Sequence, residues 1–132
     1  MRDYQRQNNN PYRLDHELWM QTLWLIRRYD RLTEEYNLRI DEGMSPVPDA
    51  VPSGKTNKTG DPTSIRAMKL AEISKQIMAI EKARMDIPDE YMNGVWNNIM
   101  TTERYPGDAD PRTYGTYKAK FVYFVARNMG WI

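Results

Sequence analysis

Apolar side chains recur at intervals of three and four residues through much of the chain, a spacing that places them on one side of an α-helix. Between residues 15 and 42 the recurring positions include Leu18, Leu25 and Leu32. Asp15 stands at the start of this run, where its carboxylate can accept the first free backbone N–H groups. The pattern therefore predicts a long first helix with a broad buried face.

A second long helix is predicted over residues 62–85. Asp61 followed by Pro62 supplies a capping residue and a proline at the first helical position, which together form a strong start signal. One side of this helix carries the apolar residues Leu70, Ile73, Ile77 and Ile80. Because the charged residues fall off this stripe, we expect the helix to pack antiparallel against the first one.

Two segments lack helical periodicity. Residues 1–12 are polar and rich in asparagine, and we expect them to form a flexible tail. Residues 43–60 contain several prolines and glycines, so a mobile loop is predicted there. A chain of 132 residues suits a single hydrophobic core, and we predict one helical domain over residues 13–132.

The last third of the chain predicts two shorter helices. Pro88 ends the preceding pattern, because the residue before a proline is pushed out of helical geometry, and a third helix should run from there to about Thr101. Asp110 before Pro111 repeats the cap-and-proline signal and starts a fourth helix that ends near Asn128. The expected fold class is all-α: two long antiparallel helices plus a C-terminal helix-turn-helix-like pair.

The amino-acid composition excludes several classes of function. The chain has no cysteine, which excludes disulfides, thiolate nucleophiles and cysteine-based metal sites. His16 is the only histidine, so we expect no catalytic triad, no metal site, no cofactor and no enzymatic activity. The longest apolar run is far shorter than the ~18 residues of a membrane helix, so a cytoplasmic protein without membrane association is expected.

Charge is distributed unevenly, although the formal net charge is only +1. Residues 111–132 contain no acidic residue and carry the cations Arg112, Lys118, Lys120 and Arg127. Residues 86–110 are mainly acidic by contrast. A basic end of this kind can contact phosphate.

The final predicted helix has two different sides. One side, expected to face the core, carries Tyr114, Tyr117, Phe121, Phe124 and Val125. A helix about 10 to 12 Å across fits the DNA major groove, where cations and hydroxyl groups reach bases and phosphates. The candidate DNA-contacting residues are Arg112, Thr113, Thr116, Lys118, Lys120, Tyr123 and Arg127. The alternative interpretation is an ordinary amphipathic helix whose basic side is solvated.

The same region carries a resemblance to a known family. It lies in residues 87–99 (IPDEYMNGVWNNI), in Tyr105-Pro106, Ala109 and Thr113-Tyr114, and in residues 121–128 (FVYFVARN). It also touches residues 18–36 and 61–82. These stretches are similar to small prophage proteins of the RinA-like and ArpU-like late transcription regulators, which themselves resemble the DNA-binding end of sigma factors. The resemblance implies a recognition helix that carries Thr113, Thr116, Lys120 and Arg127.

The leading hypothesis is therefore a phage-derived transcription regulator that binds double-stranded DNA in the host cytoplasm, with its last helix in the major groove. The alternative is a small phage protein that binds and inhibits a host protein or defence complex and competes with nucleic acid. Near-neutral charge, methionine-rich helices and the long loop favour that alternative. The sequence predicts no oligomeric state.

Overall fold

The computed structural model describes residues 3–41 and 62–132, which form five helices and no strand. The helices are α1 (His16–Arg27), α2 (Tyr29–Arg39), α3 (Pro62–Met85), α4 (Asp89–Thr101) and α5 (Pro111–Asn128). The all-α prediction is confirmed for this part of the chain, whereas the predicted loop at 43–60 lies outside the described residues. None of the five helices is long and apolar enough to cross a membrane.

The first predicted helix is divided into α1 and α2 at Arg28. This residue has φ −90° and ψ 3°, and its N–H donates to the carbonyls of Leu25 and Ile26. The division allows α1 to pack on α4 and α5 while α2 packs on α3. A continuous first helix is therefore wrong for the described residues, and the antiparallel pairing of two long helices stays a prediction.

Local signals fix the ends of the other helices. The carboxylate of Asp15 accepts the N–H of Leu18 at 2.8 Å at the start of α1, and Asp110 caps α5 in the same way. Gly130 has φ +80° and follows the last turn of α5 in the left-handed conformation that glycine adopts most readily. These caps confirm the predicted signals at Asp15, Asp110 and Gly130, whereas the predicted cap Asp61 lies outside the described residues.

The centre of the fold is α5, which packs against α1, α3 and α4. Its fully buried side chains are Tyr114, Phe121, Val122, Val125 and Ala126. From α3, the predicted core residues Ile73 and Ile80 are also buried. A helix that contributes this much buried surface holds the other helices together.

Residues 3–12 pack against the helices, which corrects the flexible tail predicted for residues 1–12, of which residues 1 and 2 lie outside the described part of the chain. We call residues 3–14 the N-terminal segment. The buried side chain of Gln5 closes it into a loop, donating to the carbonyl of Leu14 at 2.8 Å and accepting the Leu14 N–H at 2.7 Å. The indole N–H of Trp19 donates to a backbone carbonyl of the segment at 2.8 Å. These long-range contacts tie the segment to α1.

Because Gly94 has no side chain, α4 can lie close to α5 and to the loop between the two helices. A Cβ atom at this position would lie 2.7 Å from Cε1 of Tyr114 and 2.8 Å from Cδ of Pro106. The ring of Tyr105 stacks on Tyr114 with centroids 5.0 Å apart. Only glycine leaves room for this arrangement.

Candidate nucleic-acid interface

The helix α5 has an inner and an outer face, and its buried positions cover a little less than half of its circumference. The inner face comprises Tyr114, Lys118, Ala119, Phe121, Val122, Val125 and Ala126, all buried. The outer face comprises Arg112, Thr113, Thr116, Lys120, Tyr123 and Arg127, all exposed or half-buried. Tyr117 and Phe124, predicted for the core, are half-buried at the border between the two.

Lys118 belongs to the inner face, which corrects its assignment to a DNA-contacting surface. Its side chain is only 4% exposed. The Nζ atom donates to Oδ1 of Asn98 at 2.8 Å and lies 6.0 Å from the ring centroid of Trp19. Two residues of helix correspond to a rotation of about 200°, so Lys118 and Lys120 cannot share one face. The prediction grouped the two lysines because the helix contains no acidic residue, and it did not consider their positions around the helix axis.

Burial also changes the acid–base behaviour of Lys118. Removal from water lowers the pKa of its ammonium group to about 8, because the charged form loses hydration. The negative charge of Asp3 acts in the opposite direction, and Arg27 adds to the lowering. The group is therefore still mostly protonated at neutral pH.

Arg112 lies in the first turn of α5 and points into solvent. Its side chain is 82% exposed and Nη2 lies 3.3 Å from Oδ2 of Asp110. The backbone and side-chain hydrogen bonds from Arg112 lower the pKa of Asp110. An ion pair this exposed is weak, so the guanidinium group can exchange Asp110 for another anion.

Lys120 and Arg127 extend the outer face towards the end of the helix. The Nζ atom of Lys120 lies 5.7 Å from the ring centroid of Phe124, and Arg127 is exposed. With a rise of about 1.5 Å per residue, the positions of Arg112, Lys120 and Arg127 are spaced by ~12 Å and ~10 Å along the axis. The three cations therefore form a row along one helix.

The N-terminal segment lies along part of this outer face. At the first turns of α5, Nη1 of Arg6 donates to Oγ1 of Thr116 at 2.5 Å and to a backbone carbonyl at 3.1 Å. Farther along, the ring of Tyr12 makes edge contacts with Tyr123 at 5.5 Å and Phe124 at 5.9 Å between centroids. The segment therefore covers part of the outer face at both of these places.

Sequence periodicity missed both contacts of the segment. Arg6 and Tyr12 stand in a polar stretch without helical spacing, and their partners on α5 are more than a hundred residues away in the chain. No local signal indicates such a pairing. A surface formed by two distant stretches of chain is visible only in the folded molecule.

Comparison with known proteins finds no matching family model, no matching curated protein and no matching solved structure. The resemblance to phage late regulators therefore stays a prediction. Within residues 3–41 and 62–132, no cluster of three or more His, Asp or Glu side chains could hold a metal ion. The outer face of α5 is the candidate that combines exposed cations with hydrogen-bonding groups.

Proposed function

We propose that the protein binds double-stranded DNA through the outer face of α5, with Arg112, Lys120 and Arg127 contacting phosphates. The observation that carries the proposal is the row of these three cations on a helix that contains no acidic residue. Phosphate contacts by lysine and arginine release condensed counterions, which drives association with DNA. Thr113 lies beside the row and can add a hydrogen bond.

The role of a phage-derived transcription regulator is part of the same proposal. Support for it comes from the resemblance of the last two helices to the RinA-like and ArpU-like regulators. In that interpretation α4 and α5 act as the helix-turn-helix pair, and the protein works in the host cytoplasm.

The position of the N-terminal segment determines how DNA is contacted first. While Arg6 and Tyr12 lie on the outer face, phosphates can reach the cations, but α5 cannot enter the major groove with its full width. We therefore propose backbone contact as the first step. Insertion of α5 into the groove then requires residues 6–12 to move away from the helix.

Charge reversal on the outer face tests this function. Lys120→Glu combined with Arg127→Glu should abolish binding of a labelled mixed-sequence duplex at low salt, measured by fluorescence anisotropy. Circular dichroism should remain unchanged because both side chains point outward. The matched control is Arg66→Glu with Lys69→Glu, an identical change of charge at exposed positions of α3, which should retain binding. Absence of binding by the wild type, or equal loss in both double variants, would remove the proposal.

A second candidate is the inhibitor of a host protein or defence complex. Exposed thioethers favour it, since Met68 is 71%, Met78 55% and Met85 83% exposed on α3, and flexible methionines suit adaptable interfaces. Retention of a host protein after nuclease treatment, lost on changing these methionines to serine but not on changing Lys120 and Arg127, would favour this candidate over DNA binding.

A further inference from the structure

A cavity of about 980 Å³ lies between the N-terminal segment and the start of α1. This volume is at the upper end of the range of small-molecule sites. The residues that line the cavity all fall within residues 3–20, so the cavity shares no residue with α5. Two hydrogen bonds between Gln5 and Leu14 hold the segment in the loop that forms one wall. The cavity therefore depends on the packing of the segment against α1.

The walls of this cavity offer accessible apolar surface on both sides. The segment contributes the ring of Tyr4, which is 57% exposed. Helix α1 contributes the half-buried side chain of Met20. Three further lining residues are buried and offer a ligand little surface: Gln5, Leu14 and Trp19. An aromatic ring placed between Tyr4 and Met20 would make ring–ring and sulfur–ring contacts.

Two exposed side chains of opposite charge also line the cavity. The guanidinium group of Arg13 makes no hydrogen bond or ion pair with any described residue. The carboxylate of Asp15 accepts the N–H of Leu18 at 2.8 Å and, among the described residues, forms no ion pair. The other lining carboxylate, Asp3, is paired with Arg27. The cavity therefore presents one positive and one negative group that are open to a ligand.

The spacing of these two charges favours a ligand that carries both signs. Only one residue separates Arg13 from Asp15, so their Cα atoms lie no more than about 7 Å apart. An anion at Arg13 would be repelled by Asp15, and a cation at Asp15 would be repelled by Arg13. A small zwitterion can place its carboxylate near the first group and its ammonium near the second.

We propose that this cavity binds a small zwitterion with an aromatic side chain, such as an aromatic amino acid. Its carboxylate contacts Arg13, its ammonium group contacts Asp15, and its ring packs against Tyr4 and Met20. The site is independent of DNA binding, because none of the cations on the outer face of α5 lines the cavity.

A bound ligand should also hold the N-terminal segment in place. The ligand contacts the segment and α1 together, so it binds the packed arrangement and stabilises it by mass action. Arg6 does not line the cavity and is instead bonded to Thr116 on α5. Tryptic cleavage after Arg6 therefore reports the position of the segment and not direct shielding by the ligand.

Titration calorimetry with three related compounds tests the site. L-Tryptophan carries both charges, tryptamine lacks the carboxylate, and indole-3-propionate lacks the ammonium group. L-Tryptophan should bind the wild type most tightly. Each analogue should bind about fivefold more weakly, as expected for the loss of one exposed charge-assisted contact.

Variants of the two charged residues assign each contact. Arg13→Gln should weaken L-tryptophan and indole-3-propionate about fivefold and leave tryptamine unchanged. Asp15→Asn should weaken L-tryptophan and tryptamine and leave indole-3-propionate unchanged. Asparagine caps a helix as well as aspartate does, so α1 should remain intact, which circular dichroism checks. The matched control Arg66→Gln, an equal change at an exposed position of α3, should retain the wild-type affinities.

Limited proteolysis adds a readout that does not depend on binding heats. At a concentration of ten times its Kd, L-tryptophan should slow cleavage after Arg6 about tenfold. Failure of L-tryptophan to bind the wild type would remove the site. Either analogue binding as tightly as L-tryptophan would remove the role of the paired charges. Unchanged cleavage after Arg6 in saturating L-tryptophan would show that the segment forms no wall of the site.

Discussion

Lys118 and Lys120 stand two residues apart on the same helix and have opposite environments. The first is sealed between Asn98 and Trp19, and the second lies on the outer face with its carbon chain over Phe124. Their charges are the same, so the difference comes from helical phase alone. The comparison shows that the inner face of α5 holds the molecule together, whereas the outer face carries the charge available to a partner.

Truncating a buried side chain should give the largest difference in the free energy of unfolding between positions on the inner face of α5 and positions outside it. Phe121 is fully buried and Phe124 is half-buried. Phe121→Ala should lower the free energy of unfolding by about 3–5 kcal/mol, because it leaves a cavity in the core. Phe124→Ala should cost roughly half as much or less, since much of its ring already meets solvent. Urea denaturation measures both, and equal losses would contradict the separation of the faces.

The pH dependence of stability should distinguish the two lysines. In the folded state burial lowers the pKa of Lys118 to about 8 from its ordinary value of 10.5. Between these values the unfolded chain binds more protons, so the free energy of unfolding should rise with pH, by about 2 kcal/mol from pH ~7.5 to pH ~9.5. Lys118→Met should remove this rise, measured as a difference from the wild type.

The ionisation of tyrosine sets the upper limit of the pH range over which the free energy of unfolding should rise. Burial raises the pKa of Tyr105 to about 12, and hydrogen bonding to Asp108 raises that of Tyr114 to about 12. Both groups therefore lower stability once the pH exceeds the ordinary tyrosine pKa of about 10. Lys120→Met is the control for Lys118→Met and should retain the wild-type rise in the free energy of unfolding with pH. Loss of this rise in Lys120→Met would contradict the account.

Two glycines, Gly94 on α4 and Gly115 on α5, sharpen the comparison at the backbone. Gly94→Ala should cost about 1–3 kcal/mol, because the new methyl group would collide with Tyr114 and Pro106. Gly115→Ala should stabilise by roughly 0.5–1 kcal/mol, since a Cβ there meets nothing within 4 Å and alanine favours the helix. Thermal unfolding of both variants measures the difference, and a neutral Gly94→Ala would contradict the close approach.

The smallest effect is expected where the N-terminal segment meets the outer face. Tyr12→Ala removes the edge contacts with Tyr123 and Phe124, which are worth about 1 kcal/mol. Tryptic cleavage after Arg6 or Arg13 should then become about fivefold faster through local opening. Tyr4→Ala changes an exposed ring of the same segment and serves as the control. Unchanged cleavage in Tyr12→Ala would show that the segment is held elsewhere.

Local interactions made part of this structure predictable from sequence. Asp15, Asp110 and Gly130 act within one turn of their helices, so residue type and position predict their roles. The outward side of α5 follows from spacing in the same way. Helical phase also places Lys118 on the inner side, and the prediction was wrong because charge was given more weight than phase.

Contacts between distant residues account for what the sequence could not predict. The break after Arg27 occurs where its Nε donates to the carbonyl of Ile99 on α4 at 2.8 Å, and no proline or glycine marks it. Arg6 reaches Thr116 across 110 positions. Periodicity describes one element at a time and carries no information on such pairs.

The salt dependence of duplex binding tests most directly the claim that only outer-face cations meet DNA. A row of three phosphate contacts predicts a slope of about −3 in a plot of log affinity against log salt concentration. Lys120→Gln should reduce the magnitude of this slope by about one, and Lys118→Met should leave it unchanged. An equal reduction in both variants, or a wild-type affinity that does not vary with salt, would contradict the account.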